Sequence, residues 1–152
     1  MREVENRIKK IEWENQKVEN RIGKIGNGIR KVEIRINIKM ATKSFKDLIV
    51  WQKARDLAVT IYKLTDEFPK SEIYGLTSQM RRAVISISSN IAESYHRFHS
   101  KEKRQFLAIA FGSGSELESQ IEISKVLFPT LKYEIAENIL NEVMRILNNF
   151  LK

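Results

Sequence analysis

The chain has 152 residues, 42% hydrophobic and 30% charged, with six Gly, two Pro and no Cys, which suits one soluble domain and excludes collagen-like, low-complexity and disulfide-scaffold classes. Lack of cysteine removes disulfides, thiolate zinc sites and cysteine nucleophiles. No apolar run approaches the roughly 20 residues of a membrane span, and the N-terminus lacks the apolar core of a secretory signal. A cytoplasmic protein with no membrane partner is expected, and its net charge of +8 favours a polyanionic partner.

Residues 1–39 hold eleven Lys/Arg against six Glu, more than half of the positive excess. Val4-Glu5-Asn6-Arg7-Ile8 returns two heptads later as Val18-Glu19-Asn20-Arg21-Ile22. With Ile8, Ile22, Ile29 and Ile36 at heptad position a, positions d are Val4, Ile11, Val18, Ile25 and Val32, the seam of a coiled coil. Gly23, Gly26 and Gly28 oppose a continuous helix, and Val32 to Ile38 alternates with the period of a strand. This extension reads either as an oligomerisation helix or as translated upstream sequence before a start at Met40, and residues 40–152 read as a separate domain.

From Phe45 the pattern is helical throughout. A first segment, about Lys46 to Glu67, aligns Leu57, Ile61, Leu64 and Phe68 on one stripe, with Leu48, Trp51, Ala58 and Tyr62 beside it. Phe68-Pro69 ends it, because proline pushes the preceding residue out of the α region. A second, about Ser71 to Tyr95, sets Ile73, Leu76, Met80, Ala83, Ile87, Ile91 and Ser94 at gaps of three and four. A third is expected from an N-cap at Ser100 to about Leu127, with Phe106, Ala110, Ser113, Leu117, Gln120 and Leu127 inward. The fourth, from about Leu131 to the C-terminus, carries Ala136, Leu140, Val143, Leu147 and Phe150 on one stripe. Four such segments with short connections predict an all-α fold, an antiparallel up-down-up-down four-helix bundle behind an N-terminal heptad-patterned extension. The wide apolar faces of the first and fourth helices suit either deep burial in one subunit or contact with another.

Phe45-x-x-Leu48-x-x-Trp51-x-x-Ala54, Phe68-Pro69-x-x-Glu72-x-Tyr74-Gly75-Leu76-x-x-Gln79-x-Arg81-Arg82-Ala83, Ser86-Ile87-x-x-Asn90-Ile91-Ala92-Glu93 and Ala110-x-Gly112-Ser113-x-x-Glu116-Leu117-Glu118 closely resemble the bacterial four-helix-bundle proteins encoded in intervening sequences of 23S ribosomal RNA genes. The accessory variability determinants of diversity-generating retroelements look like relatives. The resemblance runs from Phe45 to about Gln120 and continues through the last segment by pattern only. It implies a small homo-oligomer, a pentamer, with a basic surface, which in the retroelement relatives contacts nucleic acid and a reverse transcriptase. Two positions depart from the family pattern. Ser94 stands where the family has Gly, so the helix is expected to continue through Tyr95, and Gly114 replaces a larger apolar residue, so looser packing is expected there.

Motifs for bond-making chemistry are weak. His96 and His99 stand three apart beside Glu93, a spacing that can hold a metal but more often marks an exposed pair. Ribonuclease bundles that place His four to six residues after Arg are not matched, since Arg82 precedes His96 by fourteen and Arg97 precedes His99 by two. Glu72, Glu93, Glu116 and Glu118 are acid–base candidates in residue type only. Gly112-Ser113-Gly114-Ser115 builds neither a phosphate loop nor a nucleophile elbow and reads as a place for close helix approach. The sequence therefore predicts no enzyme, metal or cofactor.

Gln79, Ser86, Asn90, Glu93, Glu116 and Gln120, together with Ser113, lie on or beside inward stripes and are expected to form an interhelical polar layer, because a buried polar group left unpaired costs about 1–3 kcal/mol. Cations gather at Arg81 and Arg82 and at Arg97, Lys101, Lys103 and Arg104, with Tyr95 and Phe98 interleaved. Such a group meets a single strand with both charge and a stacking ring; the plain alternative is a solvated loop. RNA or DNA bound without sequence preference is the expected partner, with a protein scaffold, for example for a reverse transcriptase, as the alternative.

Overall fold

The computed structural model describes residues 43–152, and the heptad-patterned extension of residues 1–39 lies outside them. Four helices follow one another: α1 (Ile49–Asp66), α2 (Leu76–His96), α3 (Ser100–Leu127) and α4 (Glu134–Leu151). α1 packs on α2 and α4, and α3 on α2 and α4, so the helices close a square in chain order. Neighbours run antiparallel: Arg81 near the start of α2 reaches Asp66 at the end of α1, Met80 meets Ser124 near the end of α3, and Arg104 near the start of α3 reaches the Leu151 carbonyl at the end of α4. This is the expected all-α bundle. Among the described residues there is no strand, and no helix is long and apolar enough to cross a membrane.

The expected stripes meet in the middle. Leu57, Ile61, Leu64, Met80, Ala83, Ile87, Ile91, Ala110, Leu117, Ala136, Leu140, Val143 and Leu147 are all buried in one core. Fully burying one such aliphatic side chain is worth about 1.5–3 kcal/mol. The stripe of α3 is displaced from its expected course. Gly114, Ile121 and Ser124 are buried, while Leu127 is 56% exposed. Small and polar side chains carry part of that stripe, so an apolar pattern slides off it. Phe150, expected inward, is 45% exposed near the end of α4.

Helix starts also differ. A 3-10 turn at Phe45–Asp47 precedes α1, capped by Ser44, whose hydroxyl accepts from the Lys46 amide at 3.3 Å and whose amide donates to Asp47 at 3.0 Å. α2 begins at Leu76 rather than near Ser71, because a 3-10 turn at Lys70–Glu72 intervenes and the Glu72 carboxylate takes the Leu76 amide at 3.1 Å, satisfying one of the four orphan donors of a helix start. Ser100 is the first residue of α3 and His99 occupies the cap position without a side-chain bond. α4 begins at Glu134. Just before it, Tyr133 is buried, and its hydroxyl donates to the Ser124 and Phe128 carbonyls at 3.0 and 3.2 Å, fastening the end of α3. At the Ser94 position α2 continues to His96, and the buried Ser94 hydroxyl bonds the Ile91 carbonyl at 2.7 Å. At Gly114 a Cβ would overlap the Met144 sulphur. The flexible Met144 therefore fills the space that looser packing was expected to leave.

Candidate nucleic-acid interface

The antiparallel square gives the bundle two ends. One gathers the start of α1, the α2–α3 connection and the end of α4; the other gathers the α1–α2 and α3–α4 connections. The sequence offered six candidate cations in two groups, Arg81 with Arg82 and Arg97 to Arg104, and the structure sets the two groups toward opposite ends.

Arg97, Lys101, Lys103 and Arg104 stand at the first end. The three residues Arg97, Phe98 and His99 join α2 to α3. Arg97 and His99 there have extended backbone, and Phe98 is 88% exposed. Arg97 pairs with Glu93 one turn back, and its guanidinium lies 4.7 Å from the Phe106 ring centroid, so it fastens the connection to both helices. Lys101 and Arg104 are exposed and Lys103 is half-buried. The Arg104 contact with the Leu151 carbonyl answers one of the unpaired carbonyls at the end of α4. His96 packs edge-on against Phe45 at 6.0 Å and Tyr95 at 5.3 Å between ring centroids, which brings the 3-10 turn and its exposed Lys46 to this end. Lys46 and the carboxyl-terminal Lys152 are cations that sequence grouping missed, because they join the others only through the fold.

At the opposite end Arg81 and Lys125 are engaged internally. The Arg81 Nε donates to Thr65 Oγ1 at 2.8 Å, its Nη2 to Asp66 at 2.6 Å, and its guanidinium lies 4.6 Å from the Tyr62 ring centroid. Lys125 joins Glu137 at 2.8 Å and Glu122 at 3.1 Å, and those bonds, led by the one to Glu137, push its pKa up. Burial raises the Tyr133 phenol. On the flank between α1 and α4, Lys53 pairs with Glu142 and holds its carboxyl below the usual range. Arg82 is exposed on α2. An open groove of about 1000 Å³ between α1, α2 and α3 includes Arg81, Arg82, Lys70, Ser86, Ser113 and Glu116 in its lining.

The six residues expected to form one polar layer are only partly brought together. The Ser86 and Ser113 hydroxyls meet at 2.8 Å, and the Asn90 amide donates to the Ser86 carbonyl and hydroxyl at 2.8 and 3.2 Å, an interhelical clasp at mid-bundle. The Gln120 amide donates along α3 to Glu116 at 3.1 Å. Glu93 belongs to the Arg97 pair, and Gln79 is exposed. No group of three or more His, Asp or Glu suited to a metal exists among the described residues.

A family model described as 23S rRNA-intervening sequence protein matches residues 46–149. A crystal structure of a protein of unknown function from the S23 ribosomal protein family, from Bacteroides thetaiotaomicron, is similar in fold, with a TM-score of 0.63 and 23% identity over 68% of this chain and 99% of that one. No curated protein matches.

Proposed function

Because this chain belongs to the 23S rRNA-intervening sequence protein family, we propose that it is a non-enzymatic homo-oligomer, a pentamer as the resemblance implies, that binds RNA or DNA as an accessory to a genetic element. The observation that carries this reading is the end of the bundle that gathers Arg97, Lys101, Lys103 and Arg104, where the Phe98 ring is 88% exposed. Phosphate contacts from such side chains supply affinity without sequence preference, and an exposed ring stacks any base. In an oligomer the surface repeats on every copy and its field adds. Arg81 is withdrawn from that role by its bonds to Thr65 and Asp66. The non-enzymatic part of the reading is supported by the carboxylates: Glu72 caps a helix, Glu93 pairs with Arg97 and Glu116 accepts from Gln120, so these three have structural partners rather than a nucleophile.

A second reading, a scaffold for a protein such as a reverse transcriptase, is favoured by Tyr74, 94% exposed at the opposite end. Mobility shift of labelled RNA and single-stranded DNA at about 50 mM salt tests the preferred reading. A retarded band that Lys101→Ala, Lys103→Ala and Arg104→Ala together abolish supports it; no retardation, or retardation unchanged by the triple variant, refutes it.

A further inference from the structure

Several rings gather at the end of the bundle that holds Arg97, Lys101, Lys103 and Arg104, and the fold uses most of them. Phe45 packs edge-on against Trp51 at 5.0 Å and against His96 at 6.0 Å, and Tyr95 against His96 at 5.3 Å, between ring centroids. The Phe106 ring is covered by the Arg97 guanidinium. Phe98 stands apart. It is 88% exposed, and among the described residues its ring meets no other ring and no guanidinium.

A large apolar ring left in water forgoes the burial that an aromatic side chain ordinarily contributes. The fold nevertheless anchors the backbone on both sides of it. Before Phe98, Arg97 is tied to Glu93 and to the Phe106 ring, and its amide donates to the Ser94 carbonyl at 3.4 Å. After Phe98, the His99 carbonyl accepts the Lys103 amide at 3.1 Å in the first turn of α3. A ring displayed on a short connection fastened at both ends has little backbone freedom left to lose when a flat partner lands on it.

We propose that Phe98 is the stacking platform of this surface and makes it selective for unpaired over duplex nucleic acid. This rests on the nucleic-acid reading above and adds the form of strand that the surface takes. The cations serve both forms, because a phosphate is charged whether or not its base is paired. The ring serves only one. In a duplex the base faces are closed on one another and the grooves show base edges, whereas an unpaired base offers its face to an aromatic side chain. Lys101 follows Phe98 by three residues, at most about 11 Å along the chain, so one strand can set a base on the ring and a phosphate at that ammonium.

The test is a titration of the full chain with a labelled RNA strand, the DNA strand of the same sequence and the duplex of each, at about 50 mM salt. The wild type is expected to hold single strands more tightly than their duplexes. Phe98→Ala and Phe98→Leu lower single-strand affinity about tenfold with the logarithmic salt slope unchanged, and leave duplex affinity within about twofold. Phe98→Trp keeps the wild-type preference, since it keeps a π-face that Leu lacks. An aminopurine base within the strand, whose emission falls on stacking, is quenched further at saturation by the wild type than by Phe98→Ala. A loss seen with only one of the two sugars also supports the proposal and names that strand as the ligand. Equal losses for single strands and duplexes, no loss for either, or a wild type without preference for single strands overturns the stacking role and leaves the nucleic-acid reading standing. So does a changed mass by light scattering in Phe98→Ala, which assigns the ring to contact between copies. A wild type that binds neither form overturns both.

Discussion

Individual cations at the two ends of the bundle stand in different circumstances. Around the α1–α2 and α3–α4 connections, Arg81 joins Thr65 and Asp66 of α1, and Lys125 joins Glu137 of α4 and Glu122 one turn back on its own helix. Around the α2–α3 connection, Lys101 stands exposed and the pair between Arg97 and Glu93 lies within one helical turn. A count of basic residues does not separate these cases. Charge already matched within the fold holds helices together, and charge facing water remains open to a polyanion.

The largest effect separating the two ends is expected in nucleic-acid affinity. Replacing Lys101, Lys103 and Arg104 by Ala weakens binding about a hundredfold at low salt, with a smaller loss of stability than Arg81→Ala gives. Arg81→Ala does the reverse: affinity for nucleic acid stays within about twofold, while stability falls by about 1–2 kcal/mol as the stacking on Tyr62 and the bonds to Thr65 and Asp66 are lost. Chemical denaturation of both variants beside a binding titration checks the pair. Arg81→Lys recovers little, since a point charge cannot reproduce the planar guanidinium.

Tyr133→Phe sharpens the contrast further. Its hydroxyl donates to two carbonyls that also accept backbone amides, the Ser124 carbonyl from Phe128 and the Phe128 carbonyl from Leu131. No carbonyl is stranded, so the expected loss is about 1 kcal/mol by urea unfolding.

The smallest effect is in the pH profile of stability. Lys125 and Tyr133 have raised folded pKa values, so their contributions are present below the ordinary Lys and Tyr ranges and are lost as pH rises through the folded values. Glu142 has a lowered folded pKa, so its contribution is present above the carboxylate range and is lost as pH falls through the folded value. Thermal melts across pH are expected to show Tyr133→Phe removing part of the alkaline limb and Glu142→Gln part of the acid limb.

Much of this architecture was legible in the sequence because its signals are local. Phe68-Pro69 and Phe128-Pro129 mark helix ends, and aliphatic residues at gaps of three and four mark the core. The reading failed where distant or atypical residues decide. Glu72 caps Leu76 across a short turn, so α2 starts later than its apolar pattern. Gly114 and Ser124 carry the α3 stripe, so Leu127 was read as inward. The basic cluster from Arg97 to Arg104 could be read because its members are close in sequence. That Arg81 is tied to Thr65 and Asp66 could not, because that bond crosses a connection whose path only the fold supplies.

The most direct test of the central claim is the salt dependence of binding to a labelled single strand, measured for the wild type, the Lys101/Lys103/Arg104 alanine variant and Arg81→Gln. A logarithmic salt slope that shrinks by about two to three in the first variant and stays unchanged in the second is the predicted result. Equal slopes in all three proteins, or a loss confined to Arg81→Gln, would contradict it.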